Sequence, residues 1–344
     1  MNRCAVDRRR FLRSGAALGG AALVRAALGT ATLGTLRPAL AASMDSGYPD
    51  KAIQLIIPFA AGGPTDILGR FLSKGMTEDL GQPLVALNRP GAGGNIGTEF
   101  VGRAAPDGYT LLLAASSHVI NPSIYPDLHY DPVASFTPIS LLASGPFVLT
   151  VREGLPVNSV SELIALARRE PGRLTYSSAG TGTGNHLAGE LFKLQTGVNL
   201  VHVPYNGAAP ASQAILTGVV DILFNNMLSG LPMIRAKQVR ALAVTGPARS
   251  PALPDVPTIA ESAVPGFDVQ TWYALLAPAG LNSSIQARLN ASAGKALSSA
   301  EGRKLLDSQG LQGLPLTPQQ TGAFLASEQK KWSEVAKRSG AKVD

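Results

Sequence analysis

The sequence predicts an α/β protein of two domains, each a mostly parallel sheet flanked by helices. Three observations carry that expectation. Strand-like apolar runs alternate with helix-like runs almost throughout, the pattern of repeated βαβ units. The alternation then starts afresh with a second unit near Ser159. Finally, about 300 residues remain once an N-terminal export segment is set aside, more than one core usually holds.

The N-terminal segment reads DRRRFLRSG over residues 7–15: Arg8 and Arg9, one further residue, then Phe11, Leu12 and Arg13. This is the pattern of a twin-arginine export signal. Two apolar runs, 14–24 and 26–36, follow and are split by Arg25. Each is eleven residues long, whereas a membrane span needs about twenty. Residues 39–41 offer a small-x-small cleavage site. Residues 1–41 are therefore expected to be a cleaved signal, and the mature protein to reach the periplasm by the twin-arginine route. Cys4 precedes the apolar region instead of following it, which argues against a lipoprotein anchor. The segment holds seven arginines and one acid, Asp7, so its removal lowers the formal charge from +7 to +1. The basic balance belongs to the address and gives no ground for expecting nucleic acid as a partner. Cys4 is the one cysteine, so disulfide and thiol chemistry are not expected of the mature chain.

The elements follow in order. IQLIIPF (53–59) predicts a buried strand, and TDILGRFLSKGMTEDLG (65–81) a helix with Pro64 before it and glycine at its end. LVALN (84–88) and YTLLLAAS (109–116) predict further strands, with a short helix near 97–103 between them. ISLLASGPFVLTV (139–151) is a longer apolar stretch with a Gly-Pro pair in its middle. The second unit opens on SVSELIALARREPG, where Ser159 and Glu162 have capping-box spacing. Strand LTYSSAG leads through TGTGN into helical HLAGELFKLQTG. Strand LVHVPY, helix APASQAILTG and strands DILFNN and VRALAVT complete the unit. The proline-rich 251–267 reads as a connection, and TWYALLAP (271–278) as a strand returning to the first unit. The tail is helical, and its last helix opens on Thr317-Pro318 with Gln320, a second capping box.

In open parallel sheets, ligands sit beyond the carboxyl ends of strands. Three loops at such ends share one composition: FAAGGPTD (59–66), ASSH (115–118) and SSAGTGTGNH (177–186). Each combines small residues with hydroxyls or glycines, and the first and third run directly into helices. A helix start offers free N–H groups and a partial positive charge, and glycine lets a ligand approach the backbone. Such loops suit a carboxylate or phosphate. An ordinary βα turn explains any one of them, but not so readily three of one character.

Other chemistries lack their signatures. GAGGNIG (91–97) departs from G-x-G-x-x-G because Ile96 holds the last glycine's place, and 88–90 separate it from its strand. His118, His129, His186 and His202 show no metal-ligand spacing. His129 and His202 read as hydrogen-bonded structural residues, while His118 and His186 sit in candidate loops. Asp66 is alone in its loop, where it either supports its helix start or accepts a hydrogen bond from a ligand. No nucleophile, base and orienter come together, and neither cofactor nor metal is expected.

Several long blocks carry a resemblance: YPDKAIQLIIPFAAGGPTDILGR, NRPGAGGNIGTEFVGRAAPDGYTLLLAASSHVINPSIY, YDPVASFTPIS, HLAGELFK, VHVPYNGAAPA and RALAVTGPARSPALPDVPTIAES. In this order they resemble the tripartite tricarboxylate transporter substrate-binding family, the Bug-type periplasmic proteins, from about Tyr48 to Gly340. The resemblance implies a periplasmic binding protein of type II fold. One domain would span 46–145 with 270–344 and the other 146–269, joined by crossing segments at 141–151 and 268–276. It implies a monomeric receptor that holds a small organic carboxylate through backbone N–H groups, small hydroxyls and water, and delivers it to membrane transport subunits. Carried over by position, the first-domain contacts are Phe59, Ala61, Gly62, Gly63, Thr65 and Asp66, with Ser116, Ser117 and His118. The second domain supplies Ser178, Gly180, Thr181, Gly182, Thr183, Tyr205, Asn206 and Asn225, and Tyr273 or Trp272 covers the ligand's apolar body. Asn225 stands where the family usually has an acid, which favours a more anionic or less amine-bearing ligand. Two alternatives stay open from sequence: the same capture serving a membrane signalling protein, and an exported enzyme on the same scaffold.

Overall fold

Alternation along β1 (Ile53–Ile57) explains why the predicted apolar runs are strands covered on both faces. Ile53, Leu55 and Ile57 join Leu68 and Leu72 of the helix Pro64–Leu80 in one core cluster, while Ile56 faces another. A strand covered on both faces keeps few polar positions, here only the exposed Gln54, hence the nearly continuous apolar sequence. The computed structural model describes residues 47–340, and the expected signal at 1–41 lies outside them.

The remaining strands are β2 (Leu84–Asn88), β3 (Thr110–Ala115), β4 (Phe136–Arg152), β5 (Thr175–Ser178) and β6 (Val201–Pro204). They are followed by β7 (Ile222–Asn226), β8 (Val239–Val244), β9 (Gln270–Pro278) and the short β10 (Gln312–Gly313). Their order is β2-β1-β3-β9-β4-β7-β5-β6, with β8 and β10 also paired to β4. Parallel pairing joins β1 to β2 and β3, and β5 to β6 and β7. Every antiparallel pair involves β4 or β9. The result is a mixed sheet flanked by helices, with a parallel half on each side of two long shared strands.

β4 is continuous through the Gly-Pro pair. Up to Pro146 it pairs with β9, and from Phe147 onward with β7 and β8. The pair marks the handover: a methyl on Gly145 would lie 2.7 Å from the Gly310 carbonyl oxygen. β9 carries the chain back, pairing Tyr273–Leu276 against β3 as well as β4. The tail helix Pro318–Ser339 buries Thr321, Leu325, Trp332 and Ala336. Its Glu328 carboxylate accepts from the indole N–H groups of Trp332 and of Trp272 on β9, at 2.9 and 3.0 Å.

Capping follows the sequence with one change. Thr317 and Gln320 form the reciprocal box. Ser159 Oγ accepts from the Glu162 N–H, but the Glu162 carboxylate takes the N–H of Asn158, one residue earlier than the box requires. Three helices escape the sequence pattern, one of them the single turn Ser117–Ile120. Met227–Arg235 contains Gly230 and Pro232, and Ile259–Ser262 lies inside the proline-rich connection, boxed by Thr258 and Glu261. Among the described residues no helix is long and apolar enough to cross a membrane.

Candidate functional site

The eleven α-helices of the described residues divide by how they begin. Five are capped by the side chain of their own first residue: Ser159, Thr258, Asn282, Ser299 and Thr317. Six begin at a residue whose side chain makes no cap: Gly63, Gly94, Ser116, Thr183, Gly207 and Asn226. All of these except Gly94 line a single cavity of about 90 Å³, and none of the five capping residues does. First-turn N–H groups have no partner within their helix. The donors of Thr65, of Gly184 and Asn185, and of Ala208 and Ala209 therefore converge on one space.

The walls add polar side chains without charge: Ser116, Ser117, Thr183, Asn185, Asn226 and Thr271. Phe59, Phe147 and Tyr273 supply apolar surface, and no Lys, Arg, His, Asp or Glu lines the cavity. Burial pushes the Tyr273 phenol up to about 12, so it stays neutral. The cavity offers a positive potential made of dipoles alone.

Nine of the residues expected at the site line it: Phe59, Ala61, Gly63, Thr65, Ser116, Ser117, Thr183, Asn206 and Tyr273. Gly180 and Tyr205 line a neighbouring cavity of about 450 Å³ that shares Phe59 and Asn206 with the first. The others lie outside it, each for a physical reason. Asp66 is buried and turned into its own loop, accepting from the Gly62 N–H, Arg70 Nε and Asn88 Nδ2, each at 2.9 Å. That bond also commits the Gly62 N–H, and the Asp66 side chain is spent on holding the loop. Burial alone would raise the Asp66 pKa, but the bonds from Arg70, Gly62 and Asn88 hold it below the ordinary carboxylate value. His118 is packed between Tyr130 and Phe136, with Nε2 at 2.7 Å from the Pro132 carbonyl oxygen, which only an N–H can satisfy. Burial pushes its pKa down to about 4.

Ser178, Thr181 and Gly182 form the back of their loop. Ser178 Oγ lies 2.6 Å from His202 Nε2, the Thr181 carbonyl accepts from the Tyr125 hydroxyl, and the Gly182 N–H donates to His186 Nδ1. Asn225 is buried on the far face of β7, against Met233 Sδ, and its neighbour Asn226 lines the cavity. The period of a strand is two, so a choice one residue off turns to the wrong face. The same rule separates Trp272, which reaches Glu328, from Tyr273. Gly207 to Pro210 and Thr271 were not anticipated. The NGAAP turn after β6 carried the signal, since a glycine before a helix and a proline in its first turn mark an uncapped start.

Comparison with known proteins agrees with this architecture. Residues 68–341 match the family model described as tripartite tricarboxylate transporter family receptor. Protein BugT of Bordetella pertussis is 38% identical over 298 residues, covering 86% of this chain and 91% of that protein. An R. palustris protein solved with adipate is 36% identical with a TM-score of 0.82, over 86% of this chain and 100% of the other. MatC from Rhodopseudomonas palustris with bound malate is 33% identical with a TM-score of 0.78, over 84% and 99%. The chain belongs to the tripartite tricarboxylate transporter receptor family, a family of periplasmic solute-binding receptors.

Proposed function

We propose that this protein captures a small organic carboxylate in the cavity and presents it to the membrane subunits of a tripartite carrier. One observation carries the reading: five helix starts without side-chain caps meet in a cavity whose lining has no charge. Each helix start contributes about 0.3–1 kcal/mol toward an anion, and up to ~2 where partly buried. A carboxylate has about four acceptor directions to receive the converging donors. A basic side chain would add affinity but would also hold a salt bridge that slows release.

Capture works by closure of 46–145 with 270–344 against 146–269, with β4 and β9 as the hinge strands. The continuity of both strands across the two parallel halves supports this division. Bound ligand bridges donors from both halves and shifts the open–closed equilibrium. The absence of an acid–base pair among the lining residues supports binding without turnover. The twin arginines at Arg8 and Arg9 support export of the folded receptor. The test is a thermal-stability screen of residues 42–344 against carboxylates and their uncharged amides. A ligand at one hundred times its Kd stabilises by about 2.7 kcal/mol. A carboxylate that stabilises while its amide does not is the expected result; silence of every anion against folded, ligand-free protein would overturn the reading.

A further inference from the structure

His186, on the helix Gly184–Thr196, and His202, on β6, stack ring on ring behind the cavity loop. Their centroids are 4.0 Å apart and the planes 26° apart, with Tyr176 of β5 stacked on His202 at 4.9 Å. The pair holds the loop at two points. The Gly182 N–H donates to His186 Nδ1 at 3.2 Å, and Ser178 Oγ lies 2.6 Å from His202 Nε2. Ser178 Oγ in turn accepts from the Gly180 N–H at 3.2 Å. An imidazolium has a proton on both nitrogens, so only neutral His186 can accept from Gly182.

The bonded glycines are the ones whose shape is otherwise least determined. Gly180 and Gly182 have φ of +135° and +83°, a region in which glycine has broad freedom. On either side of them the loop sets Ala179 and Thr183 in the cavity wall, and Thr183 occupies the cap position of the helix whose first donors face the cavity.

We infer that the neutral His186–His202 stack is the positioning device of this loop, fixing 178–183 in its ligand-facing shape, and that protonation of the stack releases it. The inference deepens the carboxylate-receptor reading and rests on it for its functional meaning. The titratable and charged groups around the pair are Tyr176 on β5 and Glu190 and Lys193 on the helix. Glu190 is already engaged, accepting from the Tyr176 hydroxyl at 2.6 Å and from Lys193 Nζ at 2.8 Å, and stands 4.0 Å from His186 Nε2. Burial, then the Lys193 charge, lowers the His186 pKa to about 4. Burial, then the neighbouring His186, lowers that of His202 to about 3.

The test uses the mature chain without ligand, so its outcome does not depend on the capture reading. Backbone amide exchange at Gly180 and Gly182 is followed between pH 7 and about pH 3, one unit below the His186 midpoint, in wild type, His186→Asn and His186→Leu. Asparagine keeps an acceptor near the Nδ1 position and takes no proton; leucine keeps neither. Wild-type protection relative to His186→Asn should fall about tenfold one pH unit below the midpoint of His186, while His186→Leu should lack protection at every pH. Parallel acid loss in wild type and His186→Asn would overturn the inference, as would full protection in His186→Leu at pH 7. Should the leucine variant not fold, the comparison with asparagine decides alone. Affinity for whichever carboxylate the thermal screen identifies should follow the same pH ratio.

Discussion

Gly184 gives a sharp test of the cavity because it combines a permissive backbone with no room. It opens the helix Gly184–Thr196 at an ordinary helical φ, so alanine there strains no dihedral. Helix propensity would even favour the change, by at most about 1 kcal/mol. Space forbids it: a methyl would stand 2.6 Å from Ser116 Oγ and 2.9 Å from Phe147 Cζ. Carbon atoms in comfortable contact are about 3.5–4.0 Å apart. The Ser116 hydroxyl can rotate aside, but the Phe147 ring is 2% exposed and fixed on β4. Overpacking of this kind typically costs about 1–3 kcal/mol. That cost falls on the arrangement in which Ser116, Phe147 and the helix start stand together, the arrangement a ligand must meet. Gly184→Ala should therefore weaken carboxylate binding by roughly 5- to 140-fold, at 1.4 kcal/mol per factor of ten. Isothermal titration measures it, with a melting curve of the free protein to show that the fold persists. An unchanged Kd in a folded Gly184→Ala protein would refute the placement of the ligand between these groups.

Four further outcomes follow from the same geometry. Asn226→Asp puts a charge on the cavity wall. At roughly 7 Å and an effective dielectric of about 20 the repulsion is ~2 kcal/mol, so affinity should fall by about 30-fold with little change in melting temperature. Asn225→Asp should do the reverse, because an unpaired carboxylate beside Met233 destabilises the fold; equal effects of the two on affinity would count against the face assignment. Asp66→Asn should lower stability by about 2 kcal/mol at pH 7, since three donors lose a charged acceptor. The folded pKa of Asp66 is depressed, so its contribution is present above the unfolded value and lost as pH falls through the folded one. Urea titrations of the two proteins should converge once the pH falls below the depressed folded pKa of Asp66, under the ordinary carboxylate value. Finally, His118 binds its proton only near pH 4 when folded but near 6.5 when unfolded. The unfolded state holds more protons between those values, so stability declines on acidification from 6.5 to 4, by about 3 kcal/mol for this residue. A flat stability profile over that window would contradict its buried, neutral state.

The sequence by itself determined most of the elements and the chemistry of their ends. Runs such as 53–57, apolar but for the exposed Gln54, read as strands covered on both faces, and Thr317 with Gln320 open a helix. Glycines and small hydroxyls after β1, β3 and β5 announced backbone donors without competing side chains. These features are local, set by periodicity and by the conformations each residue allows. Facing and partnership are not local. Whether Asn225 or Asn226 lines the cavity depends on the register of β7 against β4, which pairs Asn226 with Phe147. Whether Asp66 meets a ligand depends on the fold of its own loop and on Asn88, brought beside it by β2. His186 and His202 carry no shared sequence signal, because their stack exists only once a helix is laid across β5 and β6. Helix starts likewise gather at one cavity only through the parallel pairing that points several strand ends the same way. The sequence determined which groups were available to bind an anion; the tertiary structure decided which of them remained free to do so, because a buried polar group must be paired and the fold chooses its partner.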